Sequence, residues 1–425
     1  MTKSKTLKPR ELNIYEEKSV ITAILPKDNS FTFSSLEKKL KSIKGFKLIS
    51  YMPNDTYSGA IINCEYKKEK YEVELSINAF DGRTFPESYI SQSYYFTNDE
   101  IQVIKSADKI LAVIMKFMGD PRIDFQLQLK IIRALVPSLV GVIDDSAMKV
   151  LPPKLVKMFA ESEYPMSPSD MYMVHAVYDE TGNVWLHTHG LNRCGITEME
   201  IIGANEENSK SYHSILNTFA CYAIENKKEG FDPLKHSACI GWFSDKSPIV
   251  LTCLMWNEAL SLYGNINMGG LEDRKSDHNG LTSLILAYDS KDNKEPLIHK
   301  ITDYNNKIDN NILLFYSNSE TKRMSEVAKE RIEAVYTAYK DKNNEILFKI
   351  GMPIGNKSKD YEHIWFRLIE IKDGKYTCEL TQEPYELKDI KVGDIREFSI
   401  KDITDWVIYT PKGCINPNNA YILMN

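Results

Sequence analysis

MYMVHAVYDETGNVWLHTHG (Met171–Gly190) reads as two short strands folded back on each other. Met171–Tyr178 and Val184–His189 are rich in β-branched and aromatic residues. They flank the polar stretch Asp179–Asn183, in which Gly182 supplies the positive φ of a tight turn. Side chains alternate along a strand, so His187 and His189 face the same side, with Trp185 beside them. Two imidazoles at i and i+2 can chelate one metal ion, and Cys194 or Glu200 could add a third ligand from the following loop. Zinc is the cofactor this donor set implies.

The order H-x-H with an acid eleven residues on resembles the Jab/MPN class of zinc isopeptidases, where the pattern is H-x-H-P, a Ser, then Asp. His187 and His189 match it. Gly190 stands for the proline, Thr197 for the serine and Glu200 for the aspartate. Such chemistry also needs a general-base glutamate on an earlier strand; upstream, Glu161 and Glu163 are read as loop residues, and the role is not assigned. Histidines bonded to backbone at a strand-to-turn junction are the structural alternative. A second cluster is NMGGLEDR (Asn267–Arg274), followed by Asp277 and His278. Its glycines permit close backbone approach, and Arg274 suits bidentate capture of a carboxylate or phosphate. Arg274, Asp273, His278 and Trp185 are therefore the candidate ligand-binding residues. The bland reading is a tight loop with an internal Asp–Arg pair. There is no G-K-[ST] loop, no G-x-S-x-G elbow and no assignable catalytic residue.

Outward from these motifs, strand-like runs occupy Val20–Leu25, Phe46–Met52, Gly59–Tyr66 and Tyr71–Ala79, the last two joined by the charged turn Lys67–Lys70. A helix is expected over Ser34–Ile43, opened by Ser34 or Ser35. Helical spacing also links Ile104, Ala107, Leu111, Ile114 and Met118, and then Phe125, Leu129, Ile132 and Val136, with Gly119-Asp120-Pro121 between as stop and restart. Further on, Tyr212–Ala223 and Arg323–Tyr339 carry amphipathic stripes, and Ile249–Trp256, Leu281–Tyr288 and Ile312–Tyr316 read as strands. Past the polar stretch Lys340–Asn344 only short strands remain, from Ile346 to Tyr409, as in a small barrel or α+β module. There Trp365, Trp406, Tyr385 and Tyr409 form either a peptide-binding face or the core. The sequence thus predicts a multidomain α+β chain. An N-terminal α+β domain covers 1–136, a middle α+β domain with the HTHG motif covers 137–340, and a small β-rich domain covers 341–425.

The composition fits that reading. A chain of 425 residues, 43% hydrophobic and 26% charged, is long enough for two or three cores. No run approaches the roughly 20 apolar residues of a membrane span, and MTKSKTLKPRELNIYEEK is not followed by a signal-like apolar segment. Seven scattered cysteines without a C-x-x-C pair fit reduced thiols in a cytoplasm. A net charge of −6 gives no general attraction to nucleic acid or anionic membrane. Locally, residues 1–50 hold eleven Lys/Arg against five Asp/Glu, including Lys38, Lys39, Lys41, Lys44 and Lys47. A basic patch for an acidic partner is one reading; with no interleaved aromatics for base stacking, a solvated helix face is the favoured one.

The stretch VHAVYDETGNVWLHTHGLNRCGITEMEI (Val174–Ile201), with GGLEDR and His278, resembles the bacterial domain-of-unknown-function family numbered 4026. The helical stretch Asp120–Leu151 fits the same family. The tail from EHIWFRLIEI to VGDIREFSIKDITDW (Glu362–Trp406) is similar to the family numbered 2314. The resemblance implies an architecture and no particular chemistry. By analogy with small bacterial families near toxin and immunity genes, the first expectation is a cytoplasmic binding protein. It would act on a protein partner, in a protective role against a toxin or phage. A metal-dependent hydrolase centred on His187, His189 and Glu200 is the alternative, and a small-ligand sensor using the Gly269–His278 loop is a third.

Overall fold

The computed structural model describes residues 17–29, 31–53, 58–264, 266, 268–274, 282–289, 297–308, 312–354, 361–411 and 413–424. Asn267, Asp277, His278 and the first sixteen residues, all used in the sequence reading, lie outside the described residues. The architecture is multidomain α+β, with three sheets in successive regions of the chain. Residues up to 151 form one compact unit with 166–315, and 152–165 form a second with 316–425.

The first region contains β1 (Ser19–Leu25), α1 (Leu36–Leu40), β2 (Phe46–Pro53), β3 (Gly59–Tyr66), β4 (Glu69–Ala79), α2 (Glu87–Ser91), α3 (Asn98–Ser106), β5 (Lys109–Met115), α4 (Pro121–Leu135), β6 (Gly141–Asp144) and β7 (Lys149–Leu151). Its antiparallel sheet runs β2-β3-β4-β5-β1-β6-β7. The expected β3–β4 hairpin is present, and Lys67 and Lys68 take its positive φ values of 47° and 75° without glycine. Asp120 caps α4 by accepting from Arg122 N, and Pro121 opens it where no amide donor is needed.

One predicted helix is corrected. The spacing of Ile104, Ala107, Leu111, Ile114 and Met118 suggests a continuous helix, but Ala107 turns extended at ψ 142° and the chain enters β5. This strand is central, paired on both sides, and buries residues of both faces. Its near-continuous apolar run therefore satisfies a helical template by coincidence. α1 is also shorter than expected, because a 3-10 turn at Phe33–Ser35 precedes it. In the basic stretch, Lys39 Nζ donates to Leu135 O at 2.6 Å and Lys41 pairs with Glu37 on an exposed helix face.

After α5 (Pro153–Glu161), the second sheet is built from β8 (Met173–Tyr178), β9 (Asn183–His189), β10 (Glu198–Asn205), α6 (Ser209–Asn226), β11 (Ala238–Trp242), β12 (Pro248–Met255), α7 (Trp256–Ala259), β13 (Thr282–Asp289), β14 (Leu297–Lys300) and β15 (Leu313–Leu314). Its order is β15-β11-β12-β13-β10-β9-β8, with β14 beside β13 and a parallel pairing of β10 with β13. The Asp179–Asn183 turn closes the β8–β9 hairpin with Gly182 at φ 83°. The two sheets of this unit are tied by a buried ion pair. Arg193 Nη1 and Nη2 donate to Asp144 Oδ1 and Oδ2 at 2.7 and 3.0 Å, with the guanidinium 4.3 Å from the Phe125 ring centroid.

The remaining elements are α8 (Asn318–Glu330), α9 (Glu333–Tyr339), β16 (Glu345–Pro353), β17 (Tyr361–Lys372), β18 (Lys375–Leu380), β19 (Ile395–Ser399), β20 (Ile403–Thr410) and β21 (Gly413–Ile415). The single helix expected over Arg323–Tyr339 is two, broken where Arg331 leaves helical geometry at φ −101°, ψ 18°. The sheet order is β19-β18-β17-β16-β20-β21, an α+β module. Of its aromatics, Trp406 is core and donates from Nε1 to Ala328 O at 2.8 Å, Tyr385 and Tyr409 are exposed, and Trp365 is half-buried.

Candidate functional site

The hairpin register decides the site. His175 on β8 sits directly opposite His187 on β9, and Met173 opposite His189. Residues paired across an antiparallel ladder share a face, so His175, His187 and His189 are neighbours, with Trp185 next along. Ring centroids lie 5.6 Å apart for His175–His187, 4.9 Å for His175–His189 and 5.0 Å for His187–His189. One ring nitrogen from each falls within 4.8 Å of the others. His187 is buried at 3% exposure, whereas His175 and His189 are half-buried. The indole of Trp185 lies over His187, with centroids 4.4 Å apart and planes inclined at 34°.

Glu200 shares this face, opposite His187 across the β9–β10 pairing, but it has other partners. Arg274 Nη1 donates to Glu200 Oε1 at 2.9 Å and Nη2 to Oε2 at 2.6 Å. Arg274 Nη1 also reaches Thr282 Oγ1 at 2.7 Å, Nη2 reaches Gly269 O at 2.9 Å, and Trp185 Nε1 donates to Glu200 Oε2 at 3.2 Å. The guanidinium lies 4.7 Å from the Trp256 ring centroid and 5.9 Å from that of Trp185. Gly269, at φ 74°, lets the loop approach so closely that a Cβ there would stand 2.9 Å from Ile202 Cδ1. The two motifs that the sequence left separate thus meet through Glu200 and Arg274. Asp273 does not pair with Arg274; it is exposed and accepts from Gly270 N at 3.1 Å, holding its own turn.

The turn after His189 is fixed by Glu198. Its Oε1 accepts from Gly190 N at 2.8 Å and Asn192 N at 3.1 Å, and its Oε2 accepts from Thr188 Oγ1 at 2.6 Å. Burial pushes this carboxyl up to about 7 against the pull of those donors. Gly190 stands at φ 115°, and a Cβ there would meet Met171 O at 2.6 Å. Proline, held near φ −65°, is excluded, which explains why the H-x-H-P likeness stops at this residue. Thr197 is bonded to Ser283, with 2.8 Å between hydroxyl oxygens. Cys194 is buried with its Sγ 3.8 Å from Gly190 O, and burial pushes its thiol up to about 12. Among the described residues the converging group is the three histidines, with neither Cys194 nor Glu200 in it.

The third imidazole was missed in the sequence although its signal was present. Once Tyr178 and Val184 close the hairpin, counting back three pairs places His175 against His187.

Residues 19–166 match the family described as Protein of unknown function (DUF4026) N-terminal, and residues 174–286 match its C-terminal counterpart. The chain belongs to the DUF4026 family. Behind that region, residues 319–416 match Uncharacterized protein conserved in bacteria (DUF2314). No curated protein and no solved structure matches the chain. The three imidazoles and the Glu200–Arg274 pair all fall inside the DUF4026 C-terminal match.

Proposed function

We propose that this chain is a metal-binding protein whose centre is His175, His187 and His189. The observation that carries the reading is the convergence of three ring nitrogens, from two hydrogen-bonded strands, to within 4.8 Å of one another. A zinc-class ion binds imidazole nitrogen at about 2.0–2.1 Å, so tetrahedral donors stand about 3.3 Å apart by the same geometry. Ring rotations at the half-buried His175 and His189 would close that gap without moving backbone. All-nitrogen ligation favours zinc, copper or nickel over calcium or magnesium, which take oxygen.

The reading is of binding rather than hydrolysis. Glu200, the acid of the Jab/MPN-like pattern, is held on both oxygens by Arg274. Those same bonds commit the guanidinium that a ligand sensor would have used. The proposed setting is a bacterial cytoplasm, supported by seven scattered cysteines without a C-x-x-C pair and by the bacterial distribution in the DUF2314 description. Among the described residues no helix is long and apolar enough to cross a membrane.

Titration of the untagged full chain with zinc tests the proposal. One equivalent should bind with micromolar or tighter affinity, and the His175→Ala/His187→Ala/His189→Ala variant should lose that affinity while staying folded. Equal binding by the variant would refute the site.

A further inference from the structure

We infer that Trp185 is a positioning residue of the metal centre, its indole fixing the plane in which His187 presents its ring to an ion. The inference rests on the metal reading above and goes beyond it, to what sets the affinity of that centre. An imidazole turns about a broad terminal torsion, so a ligating histidine is pre-organised only when its neighbours restrict that turn. Residues i and i+2 of a strand share a face, and in β9 they bring an indole against an imidazole. The Trp185 and His187 ring centroids are 4.4 Å apart with planes inclined at 34°, and both residues are buried.

A wall restricts a ring only if it is itself held, and Trp185 is held twice. Its body belongs to a buried apolar cluster with Ile202, Ala259, Leu284 and Leu286. Its Nε1 donates to Glu200 Oε2 at 3.2 Å. That carboxylate is gripped on both oxygens by Arg274, which is anchored in turn on Thr282 Oγ1 and Gly269 O. By holding the indole, the ion pair fixes the surface that lies over His187. Ligation adds an attraction of its own, because an imidazole bound to a cation becomes electron-poor and lies against an electron-rich indole.

The test compares the full-length wild type with Trp185→Phe and Trp185→Leu, titrated with zinc against a chromogenic chelator and then saturated with cobalt(II). Trp185→Leu should bind zinc about 10-fold more weakly than the wild type, and Trp185→Phe, which keeps an aromatic face, should recover most of that loss. The visible bands of cobalt report the geometry of its ligands. At saturation they should be shifted in Trp185→Leu and match the wild type in Trp185→Phe, whereas a loss of stability alone would leave them in place. Should Trp185→Leu not fold, copper(II) titration followed by tryptophan emission decides. Wild-type emission should fall saturably at one equivalent, and Trp185→Phe should lose most of that fall. Unchanged zinc affinity and cobalt bands in Trp185→Leu, or equal copper quenching in wild type and Trp185→Phe, would overturn the inference while leaving the metal site standing. Failure of the wild type to bind these ions would remove the metal reading, and this one with it.

Discussion

Two polar clusters share one face of the second sheet, joined by the contact of Trp185 with both, and they are built on opposite logic. In the first, Glu200 and Arg274 meet fork to fork, with Thr282, Gly269 O and two indoles around them. Its donors and acceptors are aimed at each other. In the second, three imidazoles bring one ring nitrogen each to within 4.8 Å of the others, and two of the three are half-buried. The lesson is that polarity and burial alone do not mark a binding site. Arg274, a candidate ligand grip in the sequence, is engaged by Glu200 and by the carbonyl of Gly269 in the loop beside Trp185. The histidines are brought together by strand register, which no one of them shows by itself.

That contrast can be broken experimentally. The largest effect is expected at the closed pair. Glu200→Ala leaves the Arg274 cation buried without its counter-charge and should cost about 3–5 kcal/mol of stability, read by denaturant unfolding. The double replacement Glu200→Met/Arg274→Met should recover most of that loss. A double variant no more stable than Glu200→Ala would show that the pair does more than neutralise itself. At the open cluster the pattern reverses. His189→Ala, at a half-buried position, should lower zinc affinity by at least about 100-fold with a smaller loss of stability in the metal-free protein than Glu200→Ala causes. Loss of fold without loss of affinity would interchange the two roles.

Glu198 gives a pH-dependent refinement. Its folded carboxyl titrates at about 7 against an ordinary value of 4.5. Between those two values the folded chain therefore holds a proton that the unfolded chain has released. The contribution of this group to stability consequently falls as pH rises from about 4.5 to about 7 and is level above. Unfolding of the wild type and of Glu198→Gln at several pH values checks this, because the variant should show a shallower decline over that window. The smallest effect belongs to the bridge between the clusters. Trp185→Phe removes one hydrogen bond to Glu200 and should cost about 1 kcal/mol, with zinc stoichiometry unchanged.

Much of this was legible beforehand because local rules agree with the fold. The hairpin around Gly182, the strand β3, the Asp120-Pro121 helix start and the same-side placement of His187 and His189 follow from periodicity and turn chemistry. β5 was not legible, since a doubly buried strand and a helix face share the same apolar spacing. Nor was the partner of Arg274, because it lies 74 positions away at Glu200 and is set by the pairing of β10 with β13. Local reading supplied Asp273 as the neighbour in sequence, and long-range packing overruled it. His175 falls between these cases: its position followed from a hairpin already recognised, provided the register was counted out.

The most direct test of the account is elemental analysis of untagged chain after equilibration with one zinc equivalent and removal of free metal. It predicts close to one zinc per chain for the wild type and close to none when His175, His187 and His189 are replaced by alanine. A wild type that retains no more zinc than the alanine variant would contradict it.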